Sequence, residues 1–352
     1  MDSLLQGPRG RRLCLELAME LDQDIRIAVF HLGYNLDPGA GRSRRMLTMD
    51  PLGEAPPPLP EPTMDELAGL ITSLDLNGIT NQLVHYALQR AVDTARYWQE
   101  PEGEDFLAAT EEITVPLARV AESLAYSPTT QWWVQKAQPG QWAIDWRSAD
   151  DPTPLPRDPQ HTLAEWGRKE RAQEIRAAKE RPKNPHANFS GEWWSIPHGL
   201  IHTVARIPEG LSLVEDSLGW EEATVIPVAG TGRILEITTE EDWINLCRAF
   251  PLEVTASRRH DWFRTTGRHG RWVIPDWEQA ATEWDAVHLT VTGYLSLAGR
   301  ALPVSEDTST VIAGWDLGTT FWLNDVVRET EEPRQHWHGP HNEDQWVLVS
   351  GA

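Results

Sequence analysis

The chain has 352 residues, with 31 Lys+Arg against 53 Asp+Glu and a formal net charge of −22. That length suits one large or two ordinary domains, and 40% hydrophobic with 24% charged residues supplies a sizeable core, which excludes wholesale disorder. The charge argues against general nucleic-acid binding, which depends on neutralising phosphates, and no run approaches the ~18 apolar residues of a membrane span.

Apolar residues recur near helical spacing from Leu13 to Phe30. The Pro-rich EAPPPLPEP (54–62) predicts a linker or extended surface segment. Thr63 followed three residues on by Glu66 has capping-box spacing and opens a helix over DELAGLITSL. Further helices are predicted over 81–98 and 104–126, so residues 1–128 read as a mostly helical domain. Beyond it, QWWVQKAQ and QWAIDWRS read as short strands, the second alternating Trp142, Ile144 and Trp146. After the Pro-rich DDPTPLPRDP comes the stretch 168–183, with seven Lys or Arg against three Glu. Mixed signs at helical spacing predict a solvated helix, with a phosphate-facing patch as the alternative.

GEWWSIP, ATVIPV (223–228) and GRILEIT (232–238) then predict strands. Thr239 and Asp242 have capping-box spacing before the helix EDWINLCRAF. The Arg- and His-rich run 258–270 predicts a long loop, either solvated or approaching a phosphate or an acidic partner, and PDWEQAATEW (275–284) a helix with Pro and Asp at its start. DAVHLTVTGYL, TVIAGWD and TTFWLND predict strands. The expected architecture is α+β: a helical domain (1–128), an α+β domain with a mixed or antiparallel sheet (129–330), and a charged, His-rich tail (331–352).

Several chemistries leave no trace. There is no P-loop, G-x-S-x-G elbow, CxxC pair or H-E-x-x-H motif, and no Gly-rich strand-to-helix turn. Cys14 and Cys247 cannot form a disulfide framework and lie in apolar helical patterns, as buried thiols do. The tail HWHGPH brings His336, His338 and His341 close in sequence, but no fourth ligand stands at a firm spacing, so no metal site is assigned. The start MDSLLQGPRGRR has no apolar signal segment, and the expected location is cytoplasmic, with no membrane partner. The 18 Trp outnumber the 6 Phe and 5 Tyr together and cluster at Trp132-Trp133, Trp193-Trp194 and Trp272/Trp277/Trp284. Such clusters fill cores and interfaces, or wall a cleft for a planar ring.

The order of short elements resembles the ADP-ribosyltransferase-like fold in the divergent forms common among bacterial and phage proteins. The stretches that carry the resemblance are Gly191-Glu192-Trp193-Trp194-Ser195, Arg233-Ile234-Leu235-Glu236-Ile237, Asp276-Trp277, Trp284-Asp285-Ala286-Val287-His288-Leu289 and Gly314-Trp315-Asp316. They span roughly 140–325. The resemblance implies NAD as substrate, cleaved through an oxocarbenium-like transition state that needs a carboxylate near the ribose. It implies Arg147 in the first-strand role, Ser195 in the second, and Trp193 or Trp194 as the stacking face. Where the family carries a late-strand Glu, this chain has Val287-His288-Leu289. Glu236, Asp285 and Asp316 are the acids at hand, and His288 is a candidate base. The resulting candidates are Arg147, Ser195, His288 and Glu236 for catalysis, and Trp193, Trp194, Tyr294, Trp315 and Asp316 for binding. The expected function is NAD or nucleotide binding in a Trp-lined cleft, with ADP-ribose transfer. The alternatives are a non-catalytic interaction protein that docks a partner through its helical domain, and a biosynthetic enzyme acting on an aromatic small molecule. A nucleic-acid contact through the helix 162–181 stays open.

Overall fold

The computed structural model describes residues 4–40, 61–147, 154–215, 219–339 and 345–351. Six helices lead the chain: α1 Pro8–Leu21, α2 Gln23–Leu36, α3 Met64–Ser73, α4 Asn81–Asp93, α5 Gly103–Ala109 and α6 Glu111–Tyr126. The apolar run 13–30 is therefore two helices. Asp22 is extended between them, and its carboxylate accepts the N–H groups of Asp24 (2.8 Å) and Ile25 (3.1 Å) to cap α2. The Thr63–Glu66 capping box forms, with Thr63 N–H donating to Glu66 at 2.7 Å and Glu66 N–H to Thr63 Oγ1 at 3.2 Å. The helix expected over 104–126 divides at Thr110, and the one over 81–98 stops at Asp93.

The remaining elements are β1 Gly140–Asp145, α7 Pro159–Glu180, β2 Ile201–Val204, α8 Glu209–Ser212, β3 Glu222–Gly230, β4 Ile234–Ile237 and α9 Glu240–Ala249. They continue with β5 Pro251–Glu253, α10 Thr255–Thr266, β6 Arg271–Pro275, α11 Trp277–Ala280, β7 Ala286–Leu289 and α12 Val291–Leu297. The chain closes with β8 Leu302–Pro303, β9 Thr308–Thr310, β10 Thr319–Trp322, β11 Val327–Glu329, β12 Gln335–His338 and β13 Val347–Gly351. The fold is α+β. The main sheet runs β13-β12-β3-β1-β2-β10-β7-β4, with β11 also on β3, and a second sheet runs β5-β6-β9-β8. The main sheet is antiparallel except between β4 and β7, so it is mixed.

Several stretches differ from their expected local structure. DAVHLTVTGYL is a strand only as far as Leu289, and Thr290, whose hydroxyl accepts the Gly293 N–H at 3.0 Å, caps the helix α12 over its second half. QWWVQKAQ forms a 3-10 turn over Pro128–Val134, started by Pro128 and by Ser127, whose hydroxyl accepts the Thr129 N–H. GEWWSIP is irregular, because its main-chain groups bond distant side chains instead of a ladder. Arg258 donates to Trp194 O (3.1 Å), Trp262 to Trp193 O (2.9 Å) and Trp277 to Ser195 O (3.0 Å). The expected loop 258–270 is mostly the helix α10, closed by Gly267 at φ +69. The N–H groups of Ala256 and Ser257 at its start donate to the Glu174 carboxylate of α7, at 2.7 and 2.8 Å. In TVIAGWD, only Thr310 is in a strand.

The secondary structure changes character near residue 128, but the core runs across that point. One apolar cluster joins Leu13, Leu17 and Val120 of the leading helices to Leu295, Leu297 and Phe321. Close approach makes the joint. A Cβ on Gly7 would stand 2.1 Å from the carbonyl oxygen of Leu295 in α12. The charged tail contributes β12, which pairs with β3 from Gln335↔Val225 to His338↔Glu222, and β13 outside it. Cys14 and Cys247 are fully buried, and burial pushes both thiols up, Cys247 to about 12.

Candidate functional site

The main sheet parts between β1 and β2. β1 pairs with β3 over six residues, Gly140 to Asp145, but with β2 only at Trp142↔Val204 and Ala143↔Thr203. β2 meanwhile stays with β10 along its whole length, from Ile201↔Trp322 to Val204↔Thr319. Past Ala143 the two strands diverge, and a cavity of about 380 Å³ opens between them. Its wall includes Ile144–Arg147 from the end of β1, Ile201 and His202 from β2, Trp220 before β3, and Asp316 before β10. Pro154, Leu155 and Pro156 close one side. Proline has no N–H to donate, so this segment forms a wall and not a further strand. The volume falls in the range of small-molecule sites.

The alternation in β1 puts Trp142, Ile144 and Trp146 on one sheet face. Trp146 stacks near Trp220, centroids 6.1 Å apart at 25°, and lies 5.8 Å from Trp346 at 60°. Arg147 grips Asp145 with both ends of its guanidinium, Nε to Oδ1 at 2.7 Å and Nη2 to Oδ2 at 2.5 Å. His202 stands edge-on to Phe321 at 4.0 Å, and burial lowers it to about 3, so the imidazole is neutral. Its Nε2 has no hydrogen-bond partner among the described residues. Burial raises the Asp316 carboxyl to about 6, although the Glu215 N–H donates to it at 3.0 Å.

A second acid lies behind Asp316. The Glu215 carboxyl accepts the hydroxyls of Tyr294, at 2.8 Å, and of Tyr97. Burial first, and the nearby Asp316 charge second, push it up to about 8, so it carries a proton at neutral pH. Its Oε2 has no hydrogen-bond partner among the described residues. Tyr97 comes from the turn after α4 and Tyr294 from α12, so this cluster joins the leading helices to the sheet region.

Of the residues singled out in the sequence, Arg147 and Asp316 line this cavity, and Tyr294 reaches Asp316 through Glu215. His288 and Glu236 form another group. They are register neighbours on β7 and β4, on one face. His288 Nδ1 bonds the Thr320 hydroxyl (2.9 Å), Thr320 reaches Gln141 (3.1 Å), and Glu236 accepts the Ala137 N–H (3.1 Å). Burial lowers His288 to about 4 and raises Glu236. Ser195, Trp193, Trp194 and Trp315 lie in packing. The Ser195 hydroxyl donates to Ala313 O (3.1 Å) and accepts the Ala313 N–H (3.0 Å). Trp193 and Trp194 stack on each other at 4.4 Å, and Trp315 is fully buried against Trp243, Trp277 and Phe321.

Trp146, Trp220, His202, Glu215 and Tyr97 were not singled out. The alternation of β1 is the one sequence feature that points to any of them, Trp146. Among the described residues no three His, Cys, Asp or Glu side chains converge as a metal site, and His341 lies outside those residues. No helix among them is long and apolar enough to cross a membrane. In comparisons with known proteins, no family model, curated protein or solved structure matches this chain.

Proposed function

We propose that the protein binds a small molecule carrying a planar ring in the cleft between β1 and β2. The observation that supports this is the parting of the two strands, which gathers indole faces, a carboxylate and a neutral imidazole around one cavity. Trp146 and Trp220 offer faces for the ring. His202 and Asp316 offer acceptors that fix its orientation, each in a setting of low water access where a hydrogen bond counts for more. The test is a titration with nicotinamide, adenosine and NAD, followed by tryptophan fluorescence and checked by calorimetry. The expected result is saturable quenching that weakens in Trp220→Ala. No response to any of the three at millimolar concentration overturns the reading.

A second reading is ADP-ribose transfer from NAD. It is favoured by Arg147 and Asp316 standing on the same cavity wall. In that reaction Asp316 faces the ribose carbon that gains positive charge, and Trp146 or Trp220 covers the nicotinamide. Release of nicotinamide from NAD by the purified protein, lost in Asp316→Asn, supports it. Binding of NAD without release, over hours and with candidate acceptors present, leaves a binding protein.

A further inference from the structure

We propose that the ligand of this cleft is an organic cation, its charged nitrogen held between the Trp146–Trp220 faces and the Asp316 carboxylate. This rests on the small-ligand reading above and adds the charge of the ligand to it.

Three observations carry the assignment. Among the described residues, the cleft wall has two carboxylates, Asp145 and Asp316, against one guanidinium, Arg147. Arg147 is already committed to Asp145 by a two-point ion pair. Among the described residues no cationic side chain pairs with Asp316, so its charge faces the cavity without a counterion from the protein. A carboxylate withdrawn from water and left unpaired is costly, and a cationic ligand offsets that cost.

Second, the flanking rings are indoles, whose faces attract cations more strongly than those of other side chains. Third, Trp146 and Trp220 are shared with an adjoining groove of about 1160 Å³, whose described lining residues include five carboxylates and three guanidiniums. Acids outnumber bases among the described lining residues of both recesses, and the whole chain carries −22. That field concentrates cations and repels anions from the entrance. An anionic ligand would meet Asp316 at short range, where no described cationic side chain pairs with that carboxylate.

The experiment compares three probes of one shape on the full chain at pH 8: 1-methylnicotinamide as the cation, nicotinamide as the neutral form and nicotinate as the anion. The expected order of affinity is cation, then neutral, then anion, with the cation favoured over the neutral probe by about tenfold. In Asp316→Asn that preference collapses toward equal binding, while Trp220→Ala weakens all three. Equal or tighter binding of nicotinamide or nicotinate by the unaltered protein overturns the cation assignment and leaves the small-ligand reading standing. A cation preference that survives unchanged in a folded Asp316→Asn also overturns it. Binding of none of the three, with NAD and adenosine also silent, removes the small-ligand reading itself. Should Asp316→Asn fail to fold, the order of the three probes on the unaltered protein still decides.

Discussion

Asp316 accepts the backbone N–H of Glu215 at 3.0 Å, which ties the carboxylate on the cavity wall to the one buried under Tyr97 and Tyr294. Two acids with raised proton affinity therefore stand in sequence, one facing the cavity and one facing the core. Neither acts alone: the charge on Asp316 is among the reasons that Glu215 keeps its proton.

The stability of the protein should carry the mark of Glu215. Its folded-state pKa, about 8, lies above the usual value of 4.5. The folded chain therefore binds this proton more tightly than the unfolded chain does. The contribution is fully present below about pH 4.5 and is lost as pH rises through 8. Glu215→Gln, which keeps the shape and cannot ionise, should lose less stability between pH 5 and pH 8 than the unaltered chain. Urea midpoints at both pH values measure this. Parallel losses in the two proteins would show that Glu215 ionises normally.

Ligand binding should follow Asp316 in the opposite sense. With a folded pKa of about 6, Asp316 is charged at pH 8 and mostly neutral at pH 5. Affinity for 1-methylnicotinamide should fall as pH drops through 6, while affinity for neutral nicotinamide stays nearly level. Calorimetric titration of both probes at pH 5, 6, 7 and 8 checks it.

Ser195→Ala should cost stability and leave the cleft intact. Its hydroxyl is fully buried and both gives and takes a hydrogen bond at Ala313. Removing it leaves the Ala313 N–H without its acceptor, at a cost of about 1–3 kcal/mol. Chemical denaturation measures the loss. A change in ligand affinity at unchanged stability would instead place Ser195 in the site.

The ion pair between α7 and α10 offers a sharper test. Arg258 meets Glu170 at 2.7 Å, and both side chains are almost fully buried. Arg258→Met alone should destabilise by about 3–5 kcal/mol, because Glu170 is left charged and unpaired. Adding Glu170→Leu should restore much of that loss. A double-mutant cycle in urea gives the coupling directly.

Gly7→Ala should cost about 1–3 kcal/mol by overpacking, because the added Cβ meets the Leu295 carbonyl and not a flexible side chain. Thermal melts compare it with Gly69→Ala, where an added Cβ meets nothing within 4 Å.

Features decided within a few residues were legible in the sequence. Thr63–Glu66 and Thr239–Asp242 both form capping boxes, since cap and partner sit on one turn. The α+β character was legible, and so were β1, β3, β4, β7 and β10 of the main sheet, β1 and β7 from alternation and the others from short β-rich runs. GEWWSIP misled, because an apolar run does not reveal that its carbonyls will be taken by Arg258, Trp262 and Trp277, more than sixty positions away. The run 258–270 misled in the other direction. Its arginines suggested a solvated loop, whereas Arg258 turns inward to Glu170. Of the site, Arg147 and Asp316 were named, but the cavity depends on where β1 stops pairing with β2. That is a matter of register between strands more than fifty residues apart, and no local pattern encodes it. Glu215 stands beside no motif at all. Its setting is made by two tyrosines that the fold brings from positions 97 and 294.

Those two tyrosines tie distant parts of the chain to the cavity. Tyr97 follows α4 among the leading helices and Tyr294 lies in α12, yet both clasp the carboxyl next to Asp316. The leading helices thereby support the cavity wall from behind, through Tyr97 and Glu215. A fragment beginning at residue 129 would lose Tyr97 and the first helix that abuts Leu295, and would keep the cleft residues without the scaffold that sets the Glu215 and Asp316 acids in place.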